Sequence, residues 1–409
     1  MSRAKSQLDP WIARLQENLR NERYSRSVLK SYTYLVRRFL RELEHRDQAL
    51  ESVSPGDVET YVEALRRKCT GKPLSQRERW RHGAAIHMVL RLVHGKWPPV
   101  IMPTTPEAIE AREAVARYDA WLELRGLSTR TRHDARVEAH QLLKWINDRG
   151  ANVASVSIAD MDAYVAWRAD SKSRGTIAQI AYKVRCLLRF LHGAGQMPAD
   201  LAPQINGPRI YALEGIPSTI RPDDLDRVLA EARRDHSVMG RRDYAILMLL
   251  ATYGLRGGEI LKLHLSDIDW RHERLRIRHT KTGVHSELPL MRAPADALLD
   301  YLKHARPRTT VREVFLRARA PYRMIDNVSA LTKIIARKCR AADVELSGKW
   351  GAHIFRHGRA VSLLRGGVPI KVIGDVLGHR SERSTGVYLK LATEDLRSVA
   401  LDVPSGVSP

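Results

Sequence analysis

The sequence predicts a mainly α-helical protein with one small antiparallel sheet, built as two tandem helical domains followed by an α+β domain. Three observations support this fold class. The first half contains an internal repeat, the apolar residues inside each copy follow helical spacing, and three short strand-like segments occur only after residue 265.

Residues 24–65 align with residues 127–168 at a constant offset of 103. The match resumes after a five-residue difference in length, where VLRLVHG at 89–95 lies over LLRFLHG at 187–193. Ser54 and Ser157 precede matching apolar patterns and predict helix starts. Two copies of one small helical domain are therefore expected.

Proline-bearing segments at 96–108 and 197–210 have the composition of linkers. They place the domain boundaries at 1–104, 105–212 and 213–409. In the last domain the pattern predicts helices over 222–234, over 241–253 and just after Gly254. Strands are predicted at 266–270, 274–280 and 285–290, with a turn at 281–283, and the pattern is helical again from Ala293 to the end.

The chain carries 69 lysines and arginines against 46 acidic residues, a formal net charge of +23. A basic excess of this size favours a polyanionic partner such as nucleic acid over a merely solvated basic surface. Each repeat copy holds a basic segment of the kind that neutralises phosphates. We expect Trp80, which lies within the first, to be a core residue. The DNA-contacting candidates are Arg66, Arg67, Lys68, Lys72, Arg77, Arg79 and Arg81 in the first copy and Lys172, Arg174, Lys183 and Arg185 in the second.

The three cysteines lie far apart and form no CxxC pair, which favours free thiols in a reducing compartment. The N-terminus lacks an apolar stretch of signal-peptide length, and the longest apolar run, residues 245–253, is too short to span a bilayer. We therefore expect a soluble cytoplasmic protein without a membrane partner.

Six polar residues of the last domain form a candidate site for phosphate chemistry. Guanidinium groups bind phosphate oxygens and offset transition-state charge, imidazole and amine groups transfer protons, and a deprotonated tyrosine attacks phosphorus. The spacing of His353 and Arg356 places both on one face of a helix. The candidates are Arg256, Lys281, His353, Arg356, His379 and Tyr388, with Glu259 as a supporting residue.

The motifs around these residues resemble those of the tyrosine recombinases, also called the phage integrase family. They are GLRGGEILKLHLSDIDW at 254–270, HTKTGVHSELPL at 279–290, HIFRHGRAVSLLRGG at 353–367 and LGHRSERSTGVYLK at 377–390. The upstream helical copies resemble the family's SAM-like, core-binding type of domain. The resemblance implies a site-specific DNA recombinase or integrase that acts through a 3′-phosphotyrosyl intermediate, as in a mobile genetic element.

The resemblance also implies a role for each matched residue. Tyr388 would be the nucleophile, Arg256 and Arg356 would clamp the scissile phosphate, and His379 would add a hydrogen bond to it. Lys281 would protonate the leaving 5′-oxygen, while His353 would help to take the tyrosine proton. Glu259 would support the cluster.

The resemblance implies double-stranded DNA as the partner and a homotetramer on that DNA, with no metal, ATP or other cofactor. A second recombinase or an accessory DNA-bending protein stays open as a further partner. The extra first copy is compatible with a degenerate core-binding domain, an arm-site binder or an interaction module. The tail after Tyr388 has helical spacing from Thr393 to Leu401 and suits packing on a neighbouring protomer or on its own domain.

Four other functions would each share a feature of this sequence. His353 and His357 have the spacing of zinc ligands but lack the adjacent glutamate of a metalloprotease helix. Asp267 and Asp269 share a strand face, as magnesium ligands of a nuclease would, but solvation explains them better at a sheet edge. A type IB topoisomerase would share the tyrosine chemistry, and a catalytically silent DNA-binding protein would share the fold.

Overall fold

The computed structural model describes residues 9–66, 71–99, 104–211, 218–279, 283–346, 351–379, 385–386 and 388. Fifteen α-helices, four short 3₁₀ helices and three strands lie in these residues, and the predicted fold class is confirmed. The helices of the first half are α1 (Asp9–Asn21), α2 (Arg26–His45), α3 (Pro55–Ala64), α4 (Gln76–His94), α5 (Pro106–Leu124), α6 (Thr129–Asn147), α7 (Ile158–Ala169) and α8 (Arg174–Gly193).

The internal repeat reappears as helices with matching starts. Helices α2 and α3 begin 103 residues before α6 and α7, and α4 begins 98 residues before α8, which is the five-residue difference seen in the sequence. A serine caps each of these six helices by accepting a hydrogen bond from a backbone N–H of the first turn. The caps at Ser54 and Ser157 confirm the predicted helix starts.

Trp80 departs from its prediction. It lies on α4 with 72% of its surface exposed, so the expectation of a core residue was wrong. The apolar periodicity of α4 runs through Ile86, Val89 and Leu90 instead, and these side chains fill the core of the first copy.

The chain divides into two compact units, residues 1–98 with 215–409 and residues 99–214. Separate hydrophobic cores occur within 12–97, within 114–205 and within 220–355. Inside the first unit, Arg323 forms an ion pair with Glu22 at 2.6 Å. The division into three domains at 104/105 and 212/213 stays a prediction.

The last domain surrounds a small sheet in the order β1–β2–β3, antiparallel throughout. Its strands are β1 (Ile268–Asp269), β2 (Arg274–His279) and β3 (Val284–Pro289), and its helices are α9 (Pro222–Arg234), α10 (Val238–Tyr253), α11 (Gly257–Leu261), α12 (Arg292–His304), α13 (Val328–Ala341), α14 (Ala352–Arg365) and α15 (Ile370–Leu377). The sheet leaves every second residue of β2 buried, ending with His279.

Two sequence expectations need correction in this domain. Helix α10 begins at Val238, three residues before the predicted start, because Ser237 caps it. The chain between α12 and α13 is not helical, although a helical pattern was expected from Ala293 to the end; it includes an isolated bridge between Leu316 and Met324. The predicted tail helix over 393–401 lies outside the described residues.

Among the described helices, none combines the length and apolarity that a bilayer crossing requires.

The second copy contains a partly buried ion pair, between Glu138 and Arg168, whose positions hold leucines in the first copy. Glu138 accepts two hydrogen bonds from Arg168 at 3.0 Å and one from the hydroxyl of Tyr164 at 2.6 Å. At the equivalent positions of the first copy, Leu35 and Leu65 are buried. The repeat thus supplies a natural comparison of an ionic with an apolar version of one packing site.

Arg168→Ala should lower the free energy of unfolding by about 2–4 kcal/mol, because it leaves the Glu138 carboxylate buried without its cation. The double variant Glu138→Leu/Arg168→Leu, which copies the first repeat, should recover most of that loss. Urea unfolding of the wild type and both variants measures this. A double variant as unstable as Arg168→Ala would contradict it.

Candidate active site

Two arginines converge on one turn at the end of α15. Arg256, just before α11, donates to the carbonyl of Gly378 at 3.0 Å. Arg356, on α14, donates to the carbonyl of Leu377 at 2.5 Å and to that of Gly254 at 2.9 Å. Segments more than 100 residues apart in the chain are thereby fixed within one hydrogen-bonded cluster.

Arg356 is buried, and burial together with the nearby Arg256 guanidinium lowers its pKa to about 10. It therefore stays protonated at neutral pH. Two like-charged guanidinium groups in a partly buried site favour an anion between them, and phosphate is one of the anions whose geometry matches that of arginine.

Glu259 offsets part of this charge. Its carboxylate accepts from the Arg256 guanidinium at 2.7 Å and from the Arg256 backbone N–H at 2.8 Å. Burial opposes its ionisation, but hydrogen bonds from His279 and Arg256 outweigh burial and lower the pKa of Glu259. Glu259 is therefore ionised and holds the arginine in one orientation.

His279 was not among the predicted site residues. It is 1% exposed; its Nδ1 lies 2.8 Å from the Glu259 carboxylate and its Nε2 lies 2.9 Å from the Ser286 hydroxyl. The alternation of β2 could have indicated that His279 is buried, because it places His279 on the same face as Leu275 and Ile277. A histidine among buried strand residues needs a polar partner, and Glu259 is that partner.

Gly378 lies in the turn at the end of α15, where the backbone packs against the ring of His279 and requires glycine. Its φ is +63°, and a Cβ at this position would lie 2.5 Å from the imidazole ring. Only glycine fits both the left-handed backbone and the close approach. The turn that receives both arginines is thus packed directly on the histidine that binds Glu259.

Tyr388 lies in a small apolar cluster with Ala360, Ile373 and Leu377, and only 3% of it is exposed. Its hydroxyl lies 3.2 Å from Nδ1 of His357. Burial raises the pKa of Tyr388, and the Arg356 guanidinium offsets this only in part. The phenol is therefore protonated at neutral pH, and its deprotonation needs a base.

His357 is in position to be that base. Burial and the positive charges of its neighbours lower its pKa to about 4, so the ring is neutral at pH 7. The sequence pattern predicted for His357 no role beyond that of a possible zinc ligand, and the family resemblance assigned the proton role to His353. His353 is exposed one helical turn earlier, with its ring centroid 6.1 Å from that of His357.

His379 lies on the other side of the tyrosine. Its ring stacks on that of Tyr388 with centroids 6.1 Å apart, and its Nδ1 lies 2.8 Å from the hydroxyl of Thr385. Burial and the two arginines lower its pKa to about 4. Of the six predicted residues, Arg256, Arg356, His379 and Tyr388 come together here, and Lys281 lies outside the described residues.

The DNA-contacting candidates lie on the helical copies. Arg67 and Lys68 fall outside the described residues, whereas most of the others are exposed. Two of these candidates are less exposed, since Lys183 and Arg185 are both half-buried. Arg185 also donates a hydrogen bond to the carbonyl of Ile205 at 3.0 Å. Arg185 therefore has a structural contact of its own.

The acidic pair Asp267 and Asp269 is explained by protein contacts. Asp267 is buried and pairs with Arg278 at 2.7 Å, which corrects the expectation of a solvated side chain. Asp269 pairs with His272 at 2.9 Å. β1 is an edge strand, as expected.

Comparison with known proteins agrees with this arrangement. Residues 218–395 match the phage integrase family, and residues 11–81 match the phage integrase N-terminal SAM-like domain. The chain belongs to the phage integrase family, and it is a site-specific tyrosine recombinase.

Relatives are similar over different parts of the chain. A Sinorhizobium fredii protein described as an integrase/recombinase is 53% identical over 189 residues, 46% of this chain and 97% of its own length. A second one from that organism is 35% identical over 73% of this chain and 72% of its own length. Tyrosine recombinase XerC of Mycobacterium leprae is 29% identical over 69% of this chain and 95% of its own length.

Solved structures share the fold. A lambda integrase tetramer bound to a Holliday junction superimposes with a TM-score of 0.54 at 17% identity, covering 79% of this chain and 91% of that one. XerH recombinase in a post-cleavage DNA complex gives 0.55 at 13% identity, covering 73% and 89%.

His279→Ala should lower the free energy of unfolding by about 2–4 kcal/mol, because it opens a cavity and removes a hydrogen bond from a buried carboxylate. Ser286→Ala is the matched control: it removes only the outer hydrogen bond of the same ring and should cost about 1 kcal/mol. Urea unfolding measures both. Equal losses would mean that the Glu259 contact contributes nothing.

Stability should fall as the pH drops from about 6.5 to about 4. The ordinary histidine pKa is near 6.5. Between these pH values His357 and His379 are therefore protonated in the unfolded chain but stay neutral in the folded protein. Urea unfolding at pH 7 and at pH 4.5 measures how much the free energy of unfolding falls between the two. The fall should be larger in wild type than in His357→Gln/His379→Gln, by an amount on the order of 2–4 kcal/mol. Identical losses would show that these pKa values are not depressed.

Proposed function

We propose that this recombinase cuts and rejoins DNA through a 3′-phosphotyrosyl intermediate with Tyr388 as the nucleophile. One observation carries the proposal: the Tyr388 hydroxyl lies 3.2 Å from a neutral histidine, His357, inside a cluster that also holds Arg356 and Arg256. A nucleophile, a base and two phosphate-binding cations are thus supplied by one chain.

In the cleavage step, His357 takes the phenolic proton while the Tyr388 oxygen forms a bond to phosphorus. The bond between phosphorus and the 5′-oxygen breaks, and its electron pair leaves with that oxygen, which must gain a proton. Religation reverses these transfers. The number of phosphoester bonds is unchanged, so neither ATP nor an oxidant enters the balance.

The arginines act on the phosphate. A guanidinium carries five N–H donors, so Arg256 and Arg356 keep donors beyond those bound to carbonyls and to Glu259. Because both are fixed before the reaction, they stabilise the developing charge without reorganisation. His379, neutral and beside Tyr388, is suited to add a hydrogen bond to the same phosphate.

Lys281 is our candidate for the acid that protonates the leaving 5′-oxygen, on the strength of the family resemblance. His353, one turn from His357, is the candidate for passing the proton from His357 to solvent. Both assignments follow from the motifs, and His357 as the first proton acceptor follows from the geometry.

The substrate is double-stranded DNA, and the acting species is a homotetramer in the cytoplasm. The net charge of +23 supports the first point. The DNA-bound integrase tetramer of the same fold supports the second. Exchange of strands between two duplexes needs four tyrosines, which suits a recombinase of a mobile element, alone or with a DNA-bending protein.

A nicked suicide duplex carrying the element's own ends should trap a covalent protein–DNA adduct with wild type in EDTA and none with Tyr388→Phe. Removal of a general base typically slows a reaction by about 10²–10⁴-fold, so His357→Gln should slow adduct formation by about 100-fold, more than His353→Gln does. Denaturing gels measure both.

Each other outcome has a definite meaning. An adduct that survives Tyr388→Phe would assign the nucleophile to another tyrosine. Binding without any wild-type adduct would leave a catalytically silent DNA-binding protein. A larger defect in His353→Gln than in His357→Gln would move the base to His353.

A further inference from the structure

A groove runs between α3 and α4 of the first copy. Its volume is about 550 Å³, and its lining includes the buried side chains of Val58 and Val62 from α3. Trp80 lines it from α4 with 72% of its surface exposed. An exposed tryptophan beside apolar side chains is typical of a surface that a partner covers.

The second copy shows the equivalent surface of α8 covered by its own chain. Residues 205–211, which form neither helix nor strand, lie along that helix. Arg185 donates to the carbonyl of Ile205 at 3.0 Å. Eleven positions earlier in the helix, Arg174 donates to the carbonyl of Arg209 at 2.5 Å. The segment is thus held at both ends by hydrogen bonds to its backbone.

Between these two contacts the segment passes close to small residues. A Cβ added at Gly207 would lie 3.4 Å from the Cβ of Ala181 and 3.7 Å from the Cα of Ala178. Positions 174, 178, 181 and 185 follow one another at four- and three-residue spacing, so they share one face of α8. That face is the surface on which the segment packs.

The same face of α4 lines the groove. Helix α4 begins 98 residues before α8, so the four equivalent positions hold Gln76, Trp80, Gly83 and His87. All four belong to the groove lining. The groove is therefore the first copy's version of the surface that residues 205–211 cover in the second.

The linker that follows α4 is too short to cover this face in the same way. In the second copy the eleven residues 194–204 separate the end of α8 from Ile205, where the covering segment begins. In the first copy the eleven residues 95–105 separate α4 from the start of α5. No residues are left for an equivalent segment, so another chain has to supply it.

Gly83 is not explained by packing within the protein. Glycine inside a helix is less stable than alanine. A Cβ at Gly83 would meet no atom within 4 Å, whereas Ala181, its equivalent, has its methyl group against Gly207. A costly glycine three positions from an exposed tryptophan leaves room for the backbone or side chain of a ligand.

The α3 side of the groove is acidic. Glu59 and Glu63 line it, both are exposed, and neither pairs with a cation in the described ranges. Arg66 donates to the backbone carbonyl of Glu63 at 2.7 Å. Like charges four residues apart repel each other on a helix. In a chain of net charge +23, these two carboxylates are suited to a basic ligand and unsuited to phosphate.

We propose that the groove between α3 and α4 binds an extended segment of a partner protein, and that this segment carries proline and at least one arginine or lysine. The proline packs on Trp80, the cation faces the two carboxylates, and Gln76 and His87 donate to backbone carbonyls. These two residues lie eleven positions apart, about 16 Å along the helix, a length that about five extended residues span.

The choice of an extended, proline-bearing segment follows from the chain itself. The segment that covers α8 reads INGPRIY and contains Pro208 directly after Gly207. Proline-bearing segments bind aromatic-lined grooves because their backbone is ordered before binding. The proposal goes beyond the recombination chemistry and does not depend on it.

The test uses the fluorescein-labelled peptide KINGPRIYK, which is the covering segment with a lysine added at each end. Its affinity for the full-length chain is measured by fluorescence anisotropy. Trp80→Ala should weaken binding by at least about 30-fold, as loss of an interface anchor does. Glu59→Gln/Glu63→Gln should weaken it by roughly 5-fold, since both ion pairs are exposed. The peptides EINGPRIYE and KINGARIYK should bind more weakly than KINGPRIYK.

Gly83→Leu separates binding from folding. Leucine favours a helix more than glycine does, so this variant should unfold at a higher urea concentration than wild type. Its side chain occupies the groove and should lower the peptide affinity by at least about 30-fold. The matched control Trp167→Ala removes a tryptophan that is 55% exposed on α7 and should leave the affinity unchanged.

Four outcomes would overturn the proposal. They are a wild-type chain that does not bind KINGPRIYK and an affinity that Trp80→Ala and Gly83→Leu leave unchanged. Weaker duplex-DNA binding by Trp80→Ala with unchanged peptide binding would assign the groove to DNA. A lower sedimentation coefficient of Trp80→Ala without any ligand would assign it to a second copy of this chain. Adduct formation on nicked DNA tests the phosphotyrosyl mechanism separately.

Discussion

The site depends on the acceptance of two guanidinium groups by consecutive backbone carbonyls, those of Leu377 and Gly378. Carbonyls at the C-terminal end of a helix carry partial negative charge and lack helical partners, so they can hold cations without neutralising them. Arg256 and Arg356 are thereby oriented while their full positive charge is kept for a ligand. A carboxylate at each arginine would have cancelled the charge that binds phosphate. Among the described residues, the one carboxylate bound to these arginines is that of Glu259, and it is shared with His279.

Burial and concentrated positive charge together explain the state of the two histidines. Burial is the larger cause and the nearby positive charges add to it, so His357 and His379 stay neutral at a pH where exposed histidines begin to charge. A neutral imidazole can accept the proton of a buried phenol, whereas an imidazolium cannot. The arginines that bind the anion therefore add to the effect of burial in keeping the base neutral.

The sequence predicted helices and strands well, but it predicted only some of the contacts between residues that are distant in the chain. Helix starts at Ser54 and Ser157 and the alternation of the second strand follow from residue type and spacing, which depend on near neighbours alone. The prediction that Trp80 is a core residue was wrong because the apolar stripe of its helix runs through Ile86, Val89 and Leu90 instead. The alternation of β2 marks His279 as buried, but its partner Glu259 lies 20 positions away. The contact of His357 with Tyr388 spans 31 positions, and no local pattern records either partner.

The buried face of β2 gives the small sheet a role in alignment. Side chains alternate sides along a strand, so a shift of one residue in its pairing would turn His279 outward and bring Arg278 against Glu259 and Gly378. A cation in place of the imidazole would compete with Arg256 for the same carboxylate. Insertion or deletion of one residue in the strand that ends at His279 should thus disrupt the active site more than its distance from Tyr388 implies. Insertion or deletion of two residues keeps the same side chains on the buried face of the sheet. The register of the sheet can therefore change without turning His279 outward only in steps of two residues.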